Sequence, residues 1–318
     1  MAGNERRGSV LVAGSANVDY VVRVARIPVP GETVLGGDLS VVPGGKGANQ
    51  AVAAARAGGA ATLFVGALGN DSGAAILRAS LAEAGVDARL VTAARPTGAA
   101  LITVSDDAEN AIAVAPGANY ALTPDDLPTL DGVAWLVMQL ETPLPTVIGF
   151  AQAARAAGVS VMLNAAPAQQ LPPALLVAID LLVVNEEELT VVAGDDGSIL
   201  DRLASLKVPC AVATLGGRGA CALAQGTPLL QPAFEVAPAD TTAAGDTFCG
   251  ALAAALANGD GLVNALRFAA AAGALATTRP GAQSGIPTHD EVRALLAAGT
   301  ETAADALAAY CGLTEETR

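Results

Sequence analysis

The sequence is poor in the residue types that most often form metal sites or activate a nucleophile. It contains one histidine, His289, and four cysteines among 318 residues, and no two cysteines form a C-x-x-C pair. A zinc site needs closely spaced cysteine or histidine ligands, which are missing here. The lone histidine also argues against Ser-His-Asp and Cys-His catalysis. If the protein is an enzyme, we therefore expect its base to be a carboxylate or a lysine.

Positive charge is also scarce. Lysine and arginine total 17 against 31 aspartate and glutamate residues, which gives a formal net charge of −14. Such a surface repels phosphate backbones and anionic lipids, so we expect neither nucleic acid nor a membrane surface as a partner. An anionic substrate would need a local positive site.

Long uninterrupted apolar runs are missing. The longest uncharged run, residues 156–179, contains three prolines, an asparagine and two glutamines. It is therefore broken well short of the roughly 20 apolar residues that a membrane helix needs. The N-terminal sequence MAGNERRGSV has no apolar segment of the ~7–15 residues that a secretory signal requires. Together with unpaired cysteines, these features predict a cytoplasmic protein.

What the sequence does have is a regular alternation of short apolar runs and helix-length segments. Hydrophobic residues make up 52% of the chain, enough for a large core. Predicted strands cover residues 9–14, 61–66, 133–138, 159–164, 180–185 and 209–216. Predicted helices cover residues 46–57, 72–84, 144–157, 186–193, 198–206, 246–258, 261–278 and 288–297. This pattern predicts a single α/β domain over residues 1–318, with a mostly parallel central sheet between helices on both faces.

Two segments depart from this alternation. Residues 19–42 and 97–114 show β-like alternation, with turn residues at PVPGE and DDAEN. We interpret them as two antiparallel hairpins that form one small lid over the strand ends. The alternative is that they add edge strands to the main sheet.

Ligands of parallel α/β sheets bind beyond the carboxyl ends of the strands, so the residues that follow each strand are the candidates for function. Asn17 and Asp19 follow the first strand, and on an extended segment residues i and i+2 point to the same side. A carboxylate accepts hydrogen bonds from hydroxyl groups, and an amide both donates and accepts. This combination suits sugar recognition, although turn capping explains such a pair as well.

A glycine-rich segment, PGGKGANQAVAAARAGG, begins at residue 43. Its glycines, among them Gly45, allow a ligand to approach the backbone closely, and Lys46 and Asn49 fall in the first helical turn. The spacing matches neither the P-loop nor the G-x-G-x-x-G fingerprint. A nicotinamide dehydrogenase, which the alternation alone would allow, is therefore not supported; a plain glycine-rich helix entry remains an alternative.

Three further strand ends carry polar groups. Glu141 follows the strand at 133–138, and Asn185 precedes three glutamates that end with Glu188. Acids in a first helical turn favour the helix dipole, but an asparagine with an acid at i+3 could also orient a hydrated Mg²⁺. Residues 214–219, TLGGRG, suit a nucleotide lying along the backbone, or form a plain turn.

The segment DTTAAGDTFCG, at residues 240–250, places Asp246 directly after three small residues at a predicted helix start. Free N–H groups and the helix dipole favour negative charge at such a position. Asp246 is thus either an ordinary acid of a first helical turn or a base held beside an anion hole.

These segments resemble the ribokinase family of carbohydrate kinases, from about residue 9 to about residue 297. The resemblance rests on GSANVD, PGETV, GGKGANQAVAAARAG, PGAN, MQLETPL, NAAPA, NEEE, TLGGRG, DTTAAGDTFCGAL and TRPGAQSGIP. The glycine-lysine segment and the A-A-G-D-T-F segment match the two signatures of the family. Within it, GSANVD, GGKGANQ and MQLE favour the members that act on ribose.

The resemblance implies a ribokinase-like three-layer sandwich with a β lid, and ATP-dependent phosphorylation of D-ribose at O5 to give D-ribose 5-phosphate. It also implies Mg²⁺ with the ATP, K⁺ as an activating cation, and a homodimer formed through the lids. A kinase of the same family that acts on deoxyribose, fructose or a nucleoside is the alternative. A sugar-binding regulator that has lost catalysis is a further one.

The resemblance also implies a role for individual residues. Asp246 would be the catalytic base, beside an anion hole formed by the amides of Ala243, Ala244 and Gly245. Besides Asp246, the sugar would be held by Asn17, Asp19, Gly45, Lys46, Asn49 and Glu141. The nucleotide would be held by Asn185, Thr214, Leu215, Gly216, Gly217, Arg218, Gly219, Gly245 and Ala270.

For the metals, the resemblance implies that Glu188 helps to place Mg²⁺ through water. The residues implied around K⁺, largely through backbone carbonyls, are Asp240, Thr242, Ala276, Arg279, Gly281 and Gly285. Two positions depart from the family pattern. Ala270 stands where some relatives have a polar residue near the adenine, and Gly285 stands where a serine can serve the cation loop.

Overall fold

The computed structural model of this chain describes residues 8–107 and 109–313. Most of the N-terminal segment discussed above lies outside these ranges. The strands are β1 (Ser9–Ala13), β2 (Asn17–Val24), β3 (Ser40–Gly44), β4 (Thr62–Leu68), β5 (Asp87–Thr92), β6 (Gly98–Ser105), β7 (Asn110–Ala115), β8 (Val133–Met138), β9 (Ser160–Asn164), β10 (Leu181–Asn185), β11 (Cys210–Thr214), β12 (Gly219–Ala224) and β13 (Thr227–Pro232).

Eight of the helices follow the predicted segments closely, but two four-residue helices were not predicted. They are α1 (Lys46–Arg56), α2 (Ser72–Glu83), α3 (Leu144–Ala156), α4 (Pro173–Leu176), α5 (Glu186–Ala193), α6 (Ile199–Ser205), α7 (Ala244–Ala257), α8 (Leu262–Ala276), α9 (Ala282–Gly285), α10 (His289–Ala298) and α11 (Ala304–Cys311). Within the described part of the chain, no helix combines the length and the apolar character needed to cross a bilayer.

The large sheet has the order β13-β12-β11-β10-β9-β8-β1-β4-β5, and the seven strands from β11 to β5 are parallel. β1 lies between β4 and β8, so the chain order reverses at β1. In an open α/β sheet, such a reversal opens a crevice at the carboxyl ends of the two strands. The sheet thus places the ends of β1 and β8 next to each other, where Asn17, Asp19 and Glu141 follow.

The sequence did not reveal β5, β12 and β13. The two edge strands among them, β5 and β13, have residues that are mostly half-buried or exposed, as in the pattern of β13, where a single residue is buried. Edge strands need no continuous apolar run, because only part of each strand contacts the core. β12 and β13 pair antiparallel with β11 and extend the sheet beyond the loop at residues 214–219.

The lid prediction is confirmed in its main point. A separate four-stranded sheet has the order β3-β2-β6-β7, so these strands do not extend the large sheet. The turn near DDAEN joins β6 and β7. PVPGE also forms a turn, in which the Glu32 amide donates to the Val29 carbonyl over 3.0 Å, but this turn lies in a long connection, because β2 ends at Val24 and β3 begins only at Ser40. Pro28 and Pro30 have no N–H to donate to a strand ladder, which explains why the pairing stops before them.

Two apolar layers cover the faces of the large sheet. Val10 and Val12 of β1 belong to the layer that contains α1, α2, α7, α8 and α10. Leu11 and Ala13 belong to the opposite layer, with α3, α5, α6 and α11. Successive side chains of a strand point to opposite faces, so a fully buried strand serves both layers. This is the predicted three-layer sandwich.

Glycine lets helices α1 and α7 approach each other closely. A Cβ atom at Gly250 of α7 would lie 2.4 Å from the carbonyl oxygen of Gln50 and 2.7 Å from the Cβ atom of Ala53, both on α1. Neither contact is sterically possible without movement. The close approach brings the first turn of α7, with Asp246, against Asn49 and Gln50.

Replacing Gly250 by valine is expected to lower the free energy of unfolding by about 1–3 kcal/mol, because it overpacks this contact. It is also expected to reduce kcat, since Gln50 moves relative to Asp246. Urea unfolding measures the first effect. Gly37→Ala is the matched control, because a Cβ atom there would have its nearest neighbour at 3.9 Å. Equal stability of the two variants would contradict the prediction.

Candidate active site

The acidic and amide side chains predicted at separate strand ends lie in one buried cluster. Asn17 and Asp19 are on β2, Asn49 is in the first turns of α1, and Asp246 is in the first turn of α7. Their exposed fractions lie between 2 and 8%. Buried polar groups must be hydrogen-bonded to remain stable, so their partners define the site.

Asp246 accepts one hydrogen bond on each carboxylate oxygen. Asn49 Nδ2 donates to Oδ2 and Gln50 Nε2 donates to Oδ1, both over 3.0 Å. Two donors on opposite oxygens fix the plane of the carboxylate. This arrangement is more than an acid in a first helical turn requires.

Gln50 was not predicted as a site residue. It is fully buried, and its Oε1 accepts a hydrogen bond from Gln139 Nε2 over 2.6 Å. Its Nε2 also donates to Asn164 Oδ1 over 3.1 Å. A glutamine on the buried face of a helix that is otherwise mostly alanine and valine was the signal available in the sequence.

The orientation of Asn49 is set by a second chain of side chains. Gln283 Nε2 donates to Asn49 Oδ1 over 3.1 Å, and Ser80 Oγ donates to Gln283 Oε1. Because Asn49 Oδ1 accepts from Gln283, its Nδ2 is the atom that faces Asp246. Ser80 and Gln283 were also missed by the sequence analysis.

Asp19 lies directly over Gly44, where a Cβ atom would sit 2.1 Å from its Oδ2. Burial raises the pKa of Asp19 to about 7, and the neighbouring carboxylates Glu141 and Asp246 contribute to this shift. Asp19 therefore changes its charge near neutral pH, unlike an ordinary aspartate.

Lys46 is the cation of this cluster. Burial alone would lower its pKa, but the carboxylates of Asp246, Glu141 and Glu188 outweigh burial and raise the pKa above the usual lysine value. Lys46 therefore stays charged at neutral pH. It supplies the local positive charge that an anionic substrate would need on a protein with a net charge of −14.

Glu141 links the end of β8 to the start of α1 by hydrogen bonds. Its Oε2 accepts hydrogen bonds from Ser15 Oγ and, over 3.2 Å, from the amide of Lys46, the first residue of the helix. A carboxylate at a helix N-terminus is favourable. Gly45, just before the helix, has φ = +88°, which suits glycine alone among the common residues.

Asn17 is held by a residue that the predicted site did not include. Asn119 Nδ2 donates to Asn17 Oδ1 over 2.7 Å, and Asn119 Oδ1 accepts from the amide of Ala16 over 2.9 Å. Asn119 belongs to the PGAN segment, which contributed to the resemblance without an assigned role.

On the other side of the α7 N-terminus lies a cavity of about 480 Å³. Seven of the predicted nucleotide and anion-hole residues line it: Thr214, Gly216, Gly217, Gly219, Ala244, Gly245 and Ala270. Its lining also includes Phe234, Val236 and Pro238, which the sequence analysis missed. The chain at 233–238 has no regular periodicity, so no pattern marked it.

Other predicted nucleotide residues have contacts elsewhere. Leu215 is 1% exposed and packs in the core. The Arg218 side chain lies 4.1 Å from the ring centre of Tyr310. Asn185 and Glu188 cap helix α5 reciprocally: Asn185 Oδ1 accepts from the Glu188 amide over 2.7 Å, and Glu188 Oε2 accepts from the Asn185 amide over 2.8 Å. This is the structural alternative that the sequence left open for the pair.

The first turn of α7 lies between the cavity and the polar cluster. Ala244 and Gly245 line the cavity, whereas Asp246 contacts Asn49 and Gln50 on the other side. Ala243, which caps the helix, has the left-handed conformation with φ = 58°. The Ala244 amide donates to the Thr241 carbonyl over 3.3 Å, so one of the three predicted anion-hole amides already has a partner within the chain.

Gly245 faces open space, because a Cβ atom there would have no neighbouring heavy atom within 4 Å. Internal packing therefore does not require a glycine at this position. It leaves the N-terminus of a 14-residue helix accessible from the cavity, which suits a phosphate group.

The predicted cation loop brings several oxygens together. Asp240 accepts hydrogen bonds from the Thr242 amide over 2.9 Å and the Gly281 amide over 2.8 Å. Burial raises its pKa, but these hydrogen bonds outweigh burial and lower it. A Cβ atom at Gly285 would lie 3.1 Å from the carbonyl oxygen of Ala276 and 3.2 Å from that of Arg279, so the two carbonyls converge there.

The Arg279 side chain forms an ion pair with Glu291, so only its carbonyl faces the loop. Within the described ranges, no group of three or more His, Cys, Asp or Glu residues could hold a metal ion.

The fold, with its mostly parallel sheet and small lid sheet, is the ribokinase-like α/β fold of sugar kinases. The chain belongs to the pfkB family of carbohydrate kinases, whose family model matches residues 7–289. It is 38% identical over 302 residues to a ribokinase of Haemophilus influenzae, covering 90% of this chain and 97% of that relative.

Solved structures of relatives agree with this assignment. The ribokinase of Thermotoga maritima superposes with a TM-score of 0.85 at 34% identity, covering 91% of this chain and 99% of the other. The Arabidopsis thaliana ribokinase, solved in complex with ribose and ATP, has a TM-score of 0.82 at 34% identity, covering 91% and 98%.

Proposed function

We propose that this protein transfers the γ-phosphoryl group of ATP to O5 of D-ribose, giving ADP and D-ribose 5-phosphate. The observation that carries the proposal is the position of the first turn of α7. It presents Ala244 and Gly245 to the nucleotide-sized cavity and Asp246 to the buried polar cluster. The ribokinases named above, one of them solved with ribose and ATP, support both substrates.

In the proposed mechanism, Asp246 accepts the proton of O5 as O5 attacks the γ-phosphorus and the bond to ADP breaks. Phosphoryl transfer depends on alignment and charge stabilisation more than on covalent chemistry. Asn49 and Gln50 hold the Asp246 carboxylate in one orientation. The helix N-terminus at Gly245 and the charge of Lys46 stabilise the negative charge on the transferred group.

We further propose that Asn17, Asp19, Lys46, Asn49 and Glu141 bind the sugar, with the backbone of Gly45. Asp19 and Glu141 offer acceptors to hydroxyl groups, and the asparagines offer both donors and acceptors. ATP-dependent transfer also needs a divalent metal such as Mg²⁺. We propose that Glu188, a buried carboxylate that caps α5, orients this metal through water; its charge also contributes to the raised pKa of Lys46. Held by Glu188 through water, Mg²⁺ would supply positive charge to the phosphates of ATP.

The experiment that tests the activity is a coupled assay of ADP release over a panel of ribose, deoxyribose, fructose and a nucleoside. We expect ribose to give the highest kcat/KM. A higher value for another member of the panel would assign the chain to a different sugar or nucleoside kinase. Sugar binding by calorimetry without ADP release would identify a regulator. A cytoplasmic location stays a prediction, which fractionation of cells would test.

We propose K⁺ as an activator that binds beside Gly285, supported by the converging carbonyls of Ala276 and Arg279 and by the carboxylate of Asp240. Adding K⁺ to enzyme assayed in a bulky organic cation is expected to raise kcat/KM roughly 5-fold or more. Asp240→Ala is expected to abolish this activation but to match the wild type without K⁺. A wild-type rate that is equal with and without K⁺ would exclude the site.

We propose a homodimer formed through the lid sheet, which exposes Ile112 and Val114 by 55 and 47%. Val114 pairs with Ala100, and Ala100 pairs with Asp19. Directly paired residues share a face, so Ile112 and Val114 lie on the face that carries Asp19. A partner that covers this face would border the sugar site.

Light scattering after size exclusion is expected to give twice the chain mass for the wild type and the chain mass for Ile112→Lys. A charge at the centre of an apolar interface removes most of its stability. Val263→Lys, at a 60% exposed position on α8, is the matched control and should stay dimeric. A wild-type monomer would refute the interface.

A further inference from the structure

The chain continues beyond the part that it shares with its family. The family model ends at residue 289, and the relatives named above cover about 90% of this chain with 97 to 99% of their own length. The segment from Gly299 to Leu313, which contains α11, follows that end. It contacts the cavity-forming part of the molecule at two separate places.

The first contact is a strand-like pairing along one wall of the cavity. The Thr302 amide donates to the Ala233 carbonyl over 2.8 Å, and the Glu235 amide donates to the Thr300 carbonyl over 2.9 Å. Between them, Phe234 and Glu301 form an antiparallel bridge. Thr302 itself lines the cavity beside Ala233, Phe234 and Glu235.

An ion pair between Arg267 and Glu301 lies next to this wall. Arg267 Nε donates to Glu301 Oε1 over 2.5 Å, and Arg267 Nη2 donates to the Leu296 carbonyl over 3.0 Å. The guanidinium carbon of Arg267 lies 5.7 Å from the ring centre of Phe234. Through Arg267, Glu301 thus links the C-terminal segment to Phe234, an aromatic residue that lines the cavity.

The second contact is between α11 and the glycine turn at residues 216–218, whose glycines also line the cavity. α11 buries Leu307, Ala308 and Cys311 in the core. Tyr310 remains at the surface, with its ring over Arg218 at 4.1 Å and its hydroxyl group donating to Glu186 Oε1. Arg218 Nη1 lies 3.9 Å from Glu186 Oε2.

Arg218 is the last residue of the 3₁₀ turn Gly216–Arg218, whose two glycines line the cavity. Glycines at these positions give the turn little stiffness of its own. Tyr310 and Glu186 therefore position the turn through the side chain of Arg218, the large residue of the turn. The hydrogen bond to Glu186 raises the pKa of Tyr310, so the hydroxyl group stays a donor at neutral pH.

We propose that the C-terminal segment 300–311 is part of the nucleotide site, with Thr302 as a wall residue and Tyr310 as a positioning residue for Arg218 and the glycine turn. The inference rests on the proposed function, in which this cavity binds ATP. It predicts that changes in the segment alter nucleotide affinity and leave the sugar site unaffected.

Calorimetric titration of ADP in the absence of sugar is the direct test. Tyr310→Ala is expected to raise the Kd for ADP by about two- to five-fold, the size of an exposed cation–π contact. Tyr310→Phe keeps the ring over Arg218 and should recover most of the affinity. Tyr120→Ala, which removes another exposed tyrosine outside the cavity wall, is the matched control and should bind ADP as the wild type does.

Thr302→Phe tests the wall, because the larger side chain fills part of the cavity. It is expected to weaken ADP binding by about ten-fold or more. Thr302→Val, of similar shape, is its control. In turnover assays, Tyr310→Ala and Thr302→Phe should raise the KM for ATP, with the KM for ribose unchanged and kcat for Tyr310→Ala within about two-fold of the wild type.

The outcomes separate the two proposals. Wild-type protein that binds no ADP overturns the proposed function, and the inference with it. Wild-type protein that binds ADP and phosphorylates ribose, together with unchanged ADP affinity in Tyr310→Ala and Thr302→Phe, overturns the inference alone. A loss of sugar affinity equal to the loss of nucleotide affinity would also overturn it, because it would indicate a general structural effect.

Discussion

Replacing Asp246 by asparagine is expected to lower kcat by about 10²–10⁴-fold, the usual contribution of a general base. Asparagine has the same shape but cannot take the proton from O5. Its NH₂ group takes the place of one carboxylate oxygen and cannot accept the hydrogen bond that Asn49 or Gln50 donates there. One of these two hydrogen bonds is therefore lost. That costs about 1 kcal/mol of stability, too little to unfold the protein.

Initial rates of ADP release at saturating ribose and ATP measure this effect, and thermal unfolding checks the fold. Asp290→Asn is the matched control, because Asp290 is an exposed acid in the first turn of α10. It should retain the wild-type kcat. If Asp246→Asn keeps a kcat near that of the wild type, Asp246 is only a helix-start acid, as the sequence alone would also allow.

Replacing Asp19 by alanine is expected to raise the KM for ribose by about 10- to 100-fold, the value of a hydrogen bond to a charged acceptor. The effect on kcat at saturating ribose should be smaller, because Asp19 does not contact Asp246 directly and acts on it only through charge. Asp87→Ala, at a half-exposed carboxylate paired with Arg89, is the control. An unchanged KM for ribose would remove Asp19 from the sugar site.

The pH dependence of sugar binding gives an independent check on Asp19. Its pKa is about 7 in the protein without ligand, so the side chain is mostly protonated below that pH. The ionised form is the better acceptor for two hydroxyl groups, and binding at lower pH must first remove the proton. The KM for ribose should therefore rise as the pH falls below about 7. In Asp19→Asn this dependence should disappear.

The fold was predictable because each buried strand is a short apolar run and each helix has a clear start. The edge strands were not, because a strand such as β13, with one buried residue, carries little hydrophobic signal. The connection between β2 and β3 was misjudged for a similar reason. Turn residues at PVPGE marked a turn, but the local sequence does not specify where the two strands stop pairing.

The site was predictable where the topology alone determines position. Asn17, Asp19 and Glu141 follow β1 and β8, and parallel strands place such residues at one edge. Gln50 and Asp246, in contrast, meet only because Gly250 lets α1 and α7 approach across almost 200 residues of sequence. The cavity wall at Phe234 depends on a pairing with Glu301 that no local pattern encodes.

The chain of side chains from Ser80 through Gln283 to Asn49 contains no ionisable group that titrates near neutral pH. The orientation of the Asp246 carboxylate is therefore insensitive to the acidity of the medium over the range in which Asp19 gains its proton. In this cluster, the geometry and the net charge therefore respond differently to pH, whereas neighbouring carboxylates usually change both together. Its geometry stays constant, while its net charge varies with pH through a different residue.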